Sequence, residues 1–229
     1  MINNIEWKTS NNLVEYNFAV SEMKKRVLEI KKNYAFEMEW LLEHNSIFTA
    51  GTSAKLEDLK NSKVNFQYTG RGGQWTWHGP GQRVVYLMLN LNNRLQDVKT
   101  YIYALEELII LTLKDFYIDG VRINSQPGVW VKDNNGCDKI AALGIRISSW
   151  ITFHGISINV NPNLNEFNNI KHSIPMQSLS NTYNKEELIK FDERVKKLIN
   201  DLINSVKNQE NQKLVKMSFV ILFVYGLIR

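Results

Sequence analysis

Apolar positions early in the chain fall at helical steps. Tyr16, Val20, Met23, Val27 and Ile30 recur every three or four residues, which gathers them on one stripe of an amphipathic helix. The same period runs through Tyr101, Leu105, Leu108, Thr112 and Phe116, and again through Leu188, Phe191, Val195, Leu198 and Leu202. Between these helices the pattern turns strand-like. Residues 83–91 (RVVYLMLNL), 128–132 (GVWVK), 139–147 and 151–160 are rich in apolar and β-branched side chains. Only Ser148, Ser149 and Trp150 separate the last two runs, so these form a hairpin. In the second arm Thr152, His154, Ile156, Ile158 and Val160 share one face. Phe153, Gly155, Ser157 and Asn159 share the other. Both faces carry apolar groups, which points to a central strand.

Asparagine marks the loops, at Asn61, Asn92–Asn93, Asn134–Asn135 and Asn168–Asn169. There is no internal repeat and no Gly/Ser linker. The pattern is that of one mixed α/β domain over residues 1–209. Residues 210–229 form an apolar tail, in which the run 218–228 is too short for a membrane helix of roughly 20 residues. That run reads as a strand or a short docking helix, without stable membrane insertion. The N-terminal residues lack the apolar core of a secretory signal.

Composition changes this picture little. Of 229 residues, 44% are hydrophobic and 22% charged, which supports an ordinary core. The net charge of +5 suits an acidic partner. The lysines are scattered and no nucleic-acid motif accompanies them, so nucleic acid is not an expected partner. The single cysteine, Cys137, excludes an intrachain disulfide and fits a reducing, cytoplasmic setting. His44, His78, His154 and Cys137 lack the close spacing of a metal site. No nucleotide-phosphate motif is present either, so neither metal nor cofactor is expected.

The candidate chemistry lies in residues 70–86, GRGGQWTWHGPGQRVVY. Six of these residues are glycine or proline, interleaved with Arg71, Thr76, His78 and Gln82. A tight turn needs one or two glycines. A longer glycine-rich segment lets backbone approach a ligand while polar side chains converge on it.

The series Arg71-Gly72-Gly73, Thr76, His78-Gly79-Pro80-Gly81-Gln82 and Tyr86 resembles the signature of the octanoyl-carrier-protein:protein octanoyltransferases. The resemblance extends through residues 41–52 (LLEHNSIFTAGT), 128–131 (GVWV), 139–147 (KIAALGIRI) and 152–160 (TFHGISINV). It covers most of residues 41–170. It implies a fold like the catalytic domain of biotin and lipoate protein ligases. The implied activity moves an octanoyl group from octanoyl-acyl carrier protein to a lysine of a lipoyl domain. The implied acceptors are the lipoyl domains of 2-oxoacid dehydrogenases and the glycine cleavage H protein.

By the same resemblance, Arg71, Gly72, Gly73, Gln74, Trp75, Thr76, Trp77 and His78 line the acyl and pantetheine site. Ala142, Leu143 and Gly144, then Gly155, Ile156 and Ser157, supply two further substrate contacts. Lys139 takes the place of a lysine beside the nucleophile, where an ammonium favours a thiolate. His154 reads as mainly structural, bonding backbone near the site.

The family's nucleophile is a cysteine in a Pro-Cys-Gly turn. Here the ungapped match puts His172, Ser173 and Ile174 at those positions. A shift of three residues puts Pro175, Met176 and Gln177 there instead. Cys137 is a poor substitute, because Asp138 beside it disfavours a thiolate. Ser173 is therefore the candidate catalytic residue together with Lys139, and a serine hydroxyl needs a general base to react. Two readings follow: an octanoyltransferase slowed by the missing thiol, or a non-catalytic module that binds acyl groups or their carrier. A ligase that activates a free acid with ATP fits less well, for want of a phosphate motif.

Overall fold

A computed structural model describes residues 5–94, 96–133, 136–171, 174–179 and 185–207. The apolar run 218–228 and the boundary between residues 209 and 210 lie outside these.

Three α-helices follow the three apolar stripes: α1 (Tyr16–Lys31), α2 (Val98–Lys114) and α3 (Lys185–Lys207). Phe116 falls just past the end of α2. Asp97 caps α2, its carboxylate accepting from the backbone N–H groups of Lys99 and Thr100. Such a cap contributes about 0.5–2 kcal/mol.

The strands are β1 (Ile5–Thr9), β2 (Glu37–Leu42), β3 (Ile47–Ala50), β4 (Phe66–Tyr68), β5 (Trp75–His78), β6 (Gln82–Met88), β7 (Gly120–Ile123), β8 (Gln126–Asp133), β9 (Gly136–Ser148) and β10 (Ile151–Asn159). Seven form one mixed sheet in the order β1-β2-β6-β10-β9-β8-β7, and β4-β3-β5 form a small second sheet. Among the described strands, only β1–β2 and β3–β4 pair with each other in parallel.

β10 sits at the centre of the large sheet, with β6 on one side and β9 on the other. Its neighbours alternate between two dry faces. Met23 and Val27 of α1 pack with Trp40, Leu42, Val84, Tyr86, Met88 and Phe153. On the opposite face Leu105, Ile109 and Leu113 of α2, with Phe191 and Val195 of α3, pack with Leu41, Val85, Leu87, Ile156 and Ile158. Each such side chain contributes roughly 1.5–3 kcal/mol by leaving water. Arg83 and Asp192 make a buried ion pair that ties β6 to α3, with Arg83 Nε 2.9 Å from Asp192 Oδ1. A third cluster, including Phe48, Trp75, Trp77 and Phe167, backs the small sheet.

Three sequence expectations need correction. The β9–β10 turn has two residues, not three, because Ser148 pairs with Ile151. Ser149 and Trp150 both take positive φ (51° and 61°), as a type I′ turn demands of its two central residues. The strand beginning near residue 83 ends at Met88, and Leu91–Asn93 is a 3-10 turn. His154 also breaks the alternation assigned to its strand. Its φ is +60°, and its ring stacks on that of its neighbour Phe153 at 5.2 Å. Consecutive side chains on a regular strand point apart. The left-handed backbone turns His154 onto the Phe153 and Tyr86 side.

Removing one partner from a buried ion pair leaves an uncompensated charge. Asp192→Ala should therefore lower stability by about 3–5 kcal/mol, read from urea unfolding. A loss within experimental error would show that Arg83 finds another partner.

Candidate functional site

The glycine-rich segment folds back on its own arginine. Arg71 is buried, and its Nη2 donates to the Thr49 carbonyl (2.6 Å), Thr49 Oγ1 (2.8 Å) and the Gln74 carbonyl (2.9 Å). Its Nε reaches Thr49 Oγ1 at 3.2 Å and its Nη1 the Gly72 carbonyl at 3.0 Å. A guanidinium has five donors in a fixed fork, so these bonds set the loop's shape. Gly73 has φ +86°, and its carbonyl lies 2.1 Å from where a Cβ on Gly51 would stand. Both positions need glycine, one for backbone conformation and one for contact.

The sequence pattern did not assign β5, yet this strand sets the polarity of the segment. It pairs with β3, Thr49 opposite Thr76 and Ile47 opposite His78. Thr76 and His78 line a cavity of about 450 Å³, within the usual range for ligand sites. Trp77 does not, contrary to expectation. Alternation turns it to the other face, where it packs on Phe167 and its Nε1 donates to Ser46 Oγ at 2.9 Å.

The cavity brings together Arg71, Gly72, Gly73, Gln74, Trp75, Thr76, His78, Lys139, Ala142, Leu143, Gly144, Gly155, Ile156 and Ser157. Ser173 and His172 lie outside the described residues. Lys171 and Ile174, which flank them in the chain, both line the cavity. Cys137 does not. Tyr16, Tyr86, His154, the turn at Ser125–Pro127 and Met176 are among the other residues of the wall. Of these, Tyr86 and His154 stood in the motif segments and Met176 at the shifted nucleophile position; Tyr16 read simply as part of a helix stripe.

Lys139 reaches the cavity through a register shift. Val129 pairs with Ala141, but Trp130 pairs with Lys139, so Ile140 is extra. Strict alternation would put Lys139 on the face of Ala141, Leu143 and Ile145, against α2. A β-bulge re-aims the side chains before it. Its Nζ donates to the Pro127 carbonyl at 3.0 Å and lies 4.6 Å from the centre of the Trp130 ring. Gly128 makes room for the lysine: at φ +131°, a Cβ there would stand 3.0 Å from Lys139 Cε and 2.7 Å from the Ala141 carbonyl. Glu106 of α2 accepts from the Gly128 N–H at 3.0 Å and from Arg122 Nε at 3.1 Å. Partial burial lowers the Lys139 pKa from its ordinary value, and the Glu106 charge opposes that fall.

The histidines of the site are uncharged near neutral pH. Burial pushes His44 down to about 4, against the pull of the Val14 carbonyl and Glu15. It pushes His154 to about 4 as well, helped by the charges of Arg71, Arg146 and Lys24. His78 falls well below the usual histidine value for the same first reason, with His44 and Arg71 adding to it. His44 Nδ1 lies 2.7 Å from the Val14 carbonyl, which can only accept. Its Nε2, 2.7 Å from Tyr86 Oη, must therefore accept from the phenol. The ring of His154 makes no hydrogen bond among the described residues; it contacts Phe153 and Tyr86 instead. The backbone bond expected of it is not found there.

Among the described residues no acidic side chain lines the cavity, whereas Arg71, Lys139 and Lys171 do. Such a wall can stabilise negative charge that develops on a carbonyl oxygen or a leaving sulfur. Among the described residues no cluster of His, Cys, Asp or Glu could hold a metal. Among the same residues, no helix is long and apolar enough to cross a membrane.

The model of the lipoyl protein ligase A/B catalytic domain matches residues 15–219. The chain is 51% identical over 176 residues to an octanoyltransferase of Bartonella quintana, covering 72% of each chain. It is 50% identical over 165 residues to one of Bradyrhizobium, covering 70% of this chain and 69% of the other. In fold it is similar to a bipartite lipoate protein ligase of Thermoplasma acidophilum, with TM-score 0.65 and 10% identity, covering 88% of this chain and 85% of that one.

The Glu106–Gly128–Lys139 arrangement gives a signed prediction. Glu106→Gln keeps an oxygen for the Gly128 N–H but removes the charge that holds up the lysine's pKa. Lys139 should titrate at lower pH in the variant, read by NMR of the Cε resonance. An upward shift or none would show that Glu106 does not act on it.

Proposed function

The chain belongs to the lipoyl protein ligase A/B catalytic family and, within it, to the octanoyltransferases, acyltransferases that serve protein lipoylation; from this premise we propose how its cavity holds and passes on the acyl group. Its substrates are an acyl donor and a lipoyl-domain protein. The donor is octanoyl-acyl carrier protein. The acceptors are lysines on lipoyl domains of 2-oxoacid dehydrogenases and on the glycine cleavage H protein, and the setting is the cytoplasm.

One observation carries this reading. The glycine-rich loop, the bulged Lys139 and the β9–β10 hairpin, far apart in sequence, wall a single cavity. Ala142 and the glycine faces of Gly144 and Gly155, on the strand face turned to the cavity, suit an unbranched acyl chain, since they are small and apolar or carry no side chain. Arg71 and Lys139 suit the thioester end, where charge develops. In the sequence Ser173 stands at the family's cysteine position, between Lys171 and Ile174, which both line the cavity.

In the first step Ser173 Oγ attacks the thioester carbonyl. The C–S bond breaks, and the hydroxyl proton leaves with the carrier's sulfur. In the second, the acceptor amine attacks the resulting ester. A C–N bond forms, the C–O bond breaks and the serine regains a proton. Lys139 stabilises the developing negative charge in both steps. Its ammonium would hold a thiolate but cannot hold an alkoxide at neutral pH, so the serine chain should turn over slowly.

The test is mass spectrometry of a lipoyl domain mixed with this chain and octanoyl-acyl carrier protein. We expect octanoylated lysine, formed slowly. Ser173→Cys combined with His172→Pro and Ile174→Gly should raise the rate by roughly tenfold or more, each factor of ten being about 1.4 kcal/mol of barrier. It should also yield an octanoyl-thioester adduct. Ser173→Ala with undiminished transfer would remove this residue from the mechanism. Binding of the carrier with no transfer by any variant would favour a binding module.

A further inference from the structure

Beneath the cavity runs a chain of buried amides. His78 Nδ1 lies 2.7 Å from Gln82 Oε1. Gln82 Nε2 lies 2.9 Å from Asn159 Oδ1. Asn159 Nδ2 lies 3.1 Å from the Gln177 carbonyl. Gln82 and Asn159 face each other across β6 and β10, 1% and 3% exposed. Neither has a water-accessible way to reorient, and an unmatched buried amide is costly.

The far end decides the direction of every bond. A backbone carbonyl only accepts. Asn159 must therefore present its N–H to Gln177, which leaves its oxygen for Gln82. Gln82 must then present its N–H to Asn159, which leaves its oxygen for His78. Reversing either amide would set oxygen against oxygen. The proton of neutral His78 is thus held on Nδ1, and Nε2 is left with a lone pair. Among the described residues nothing bonds Nε2, and the ring lines the cavity.

The same residues grip the segment next to the nucleophile's position. The Asn159 carbonyl accepts from the Leu179 N–H at 2.8 Å. Lys139 holds the segment from the other side, its N–H donating to the Pro175 carbonyl at 2.9 Å and its carbonyl accepting from the Gln177 N–H at 3.1 Å. The stretch 174–179 is therefore strapped between β9 and β10, with the relay attached to its Gln177 carbonyl.

We propose that Gln82 and Asn159 are positioning residues for the transfer: they fix His78 as the Nδ1-protonated tautomer, so that Nε2 accepts an N–H from the incoming acceptor amine, and they tie that ring to the segment that follows Ser173. An amine attacks with its lone pair, so one of its N–H bonds must point at an acceptor while the lone pair faces the acyl carbon. A neutral imidazole offers that acceptor; an imidazolium would not. This rests on the octanoyl-transfer reading for its substrate, but its structural half stands without it.

The first test uses the unaltered chain. Long-range 1H–15N correlation of the His78 ring should show the proton on Nδ1 at neutral pH. A proton on Nε2, a mixture of the two or a doubly protonated ring would overturn the proposal. Next, Gln82→Glu puts a carboxylate on the Nδ1–H, so His78 should gain its second proton at higher pH than in the parent. The groups facing that ring are Tyr16, His44, His154 and Arg71, none of them an acid that would mask the change. A titration like that of the parent chain would count against the relay.

Asn159→Asp cannot donate to the Gln177 carbonyl but still accepts from Gln82. We expect kcat to fall by roughly a hundredfold, as for other displaced catalytic groups, with KM for the octanoyl donor nearly unchanged. An unchanged kcat, or a rise in KM alone, would sink the positioning role. A parent chain with no transfer at all would bear on the proposed function, while the tautomer measurement would still decide the relay.

Discussion

The pairing of β6 with β10 at the middle of the sheet is the constraint from which the rest follows. Gly155 lies opposite Tyr86 on one side and Gly144 on the other. One face of these strands is covered by α2 and α3, and the other partly by α1 and partly by the wall of the cavity. A polar side chain buried between those layers is costly unless it finds a partner inside the protein. Arg83 finds Asp192. Thr152 donates to the Leu87 carbonyl at 2.8 Å. Gln82 and Asn159 find each other and extend their chain to His78. The site's order is a consequence of where the central strands lie.

Charge in the cavity obeys the same logic. Burial works against every ionised group, and the protein answers in two ways. The histidines stay neutral: His44 and His78 serve as hydrogen-bonding rings, while His154 packs against Phe153 and Tyr86. Arg71 keeps its charge by wrapping in carbonyls and a hydroxyl rather than by pairing with an acid. Lys139 sits between these cases, its amine on a carbonyl and an aromatic face, with Glu106 behind it. A cavity whose described residues are positive or neutral, with no carboxylate among them, favours a transition state that gathers negative charge.

The three helices and the β9–β10 hairpin were legible in the chain, because their periods of 3.6 and 2 survive in the side-chain pattern. β2 was not, although all six of its residues are buried. Its Glu37 and Glu39 look like surface residues; Glu37 is paired with Arg94, and burial pushes the Glu39 carboxyl well above the ordinary carboxylate range. The glycine-rich segment announced a site through its composition, yet the strand inside it, and hence the outward turn of Trp77, depends on pairing with β3.

What the sequence by itself determined was the family, the helices and the central strand, since motif spacing and hydrophobic period are properties of the chain taken in order. It also marked Lys139 and the glycine-rich loop as candidates for the site, through their neighbours. Tertiary structure alone decided which way they face. The extra residue at Ile140 carries Lys139 from the core side to the cavity side, and a positive φ does the same for His154. Both depend on register and backbone conformation imposed by neighbouring strands, and a one-residue change in either leaves the hydrophobic pattern unaltered while it moves a side chain across the sheet.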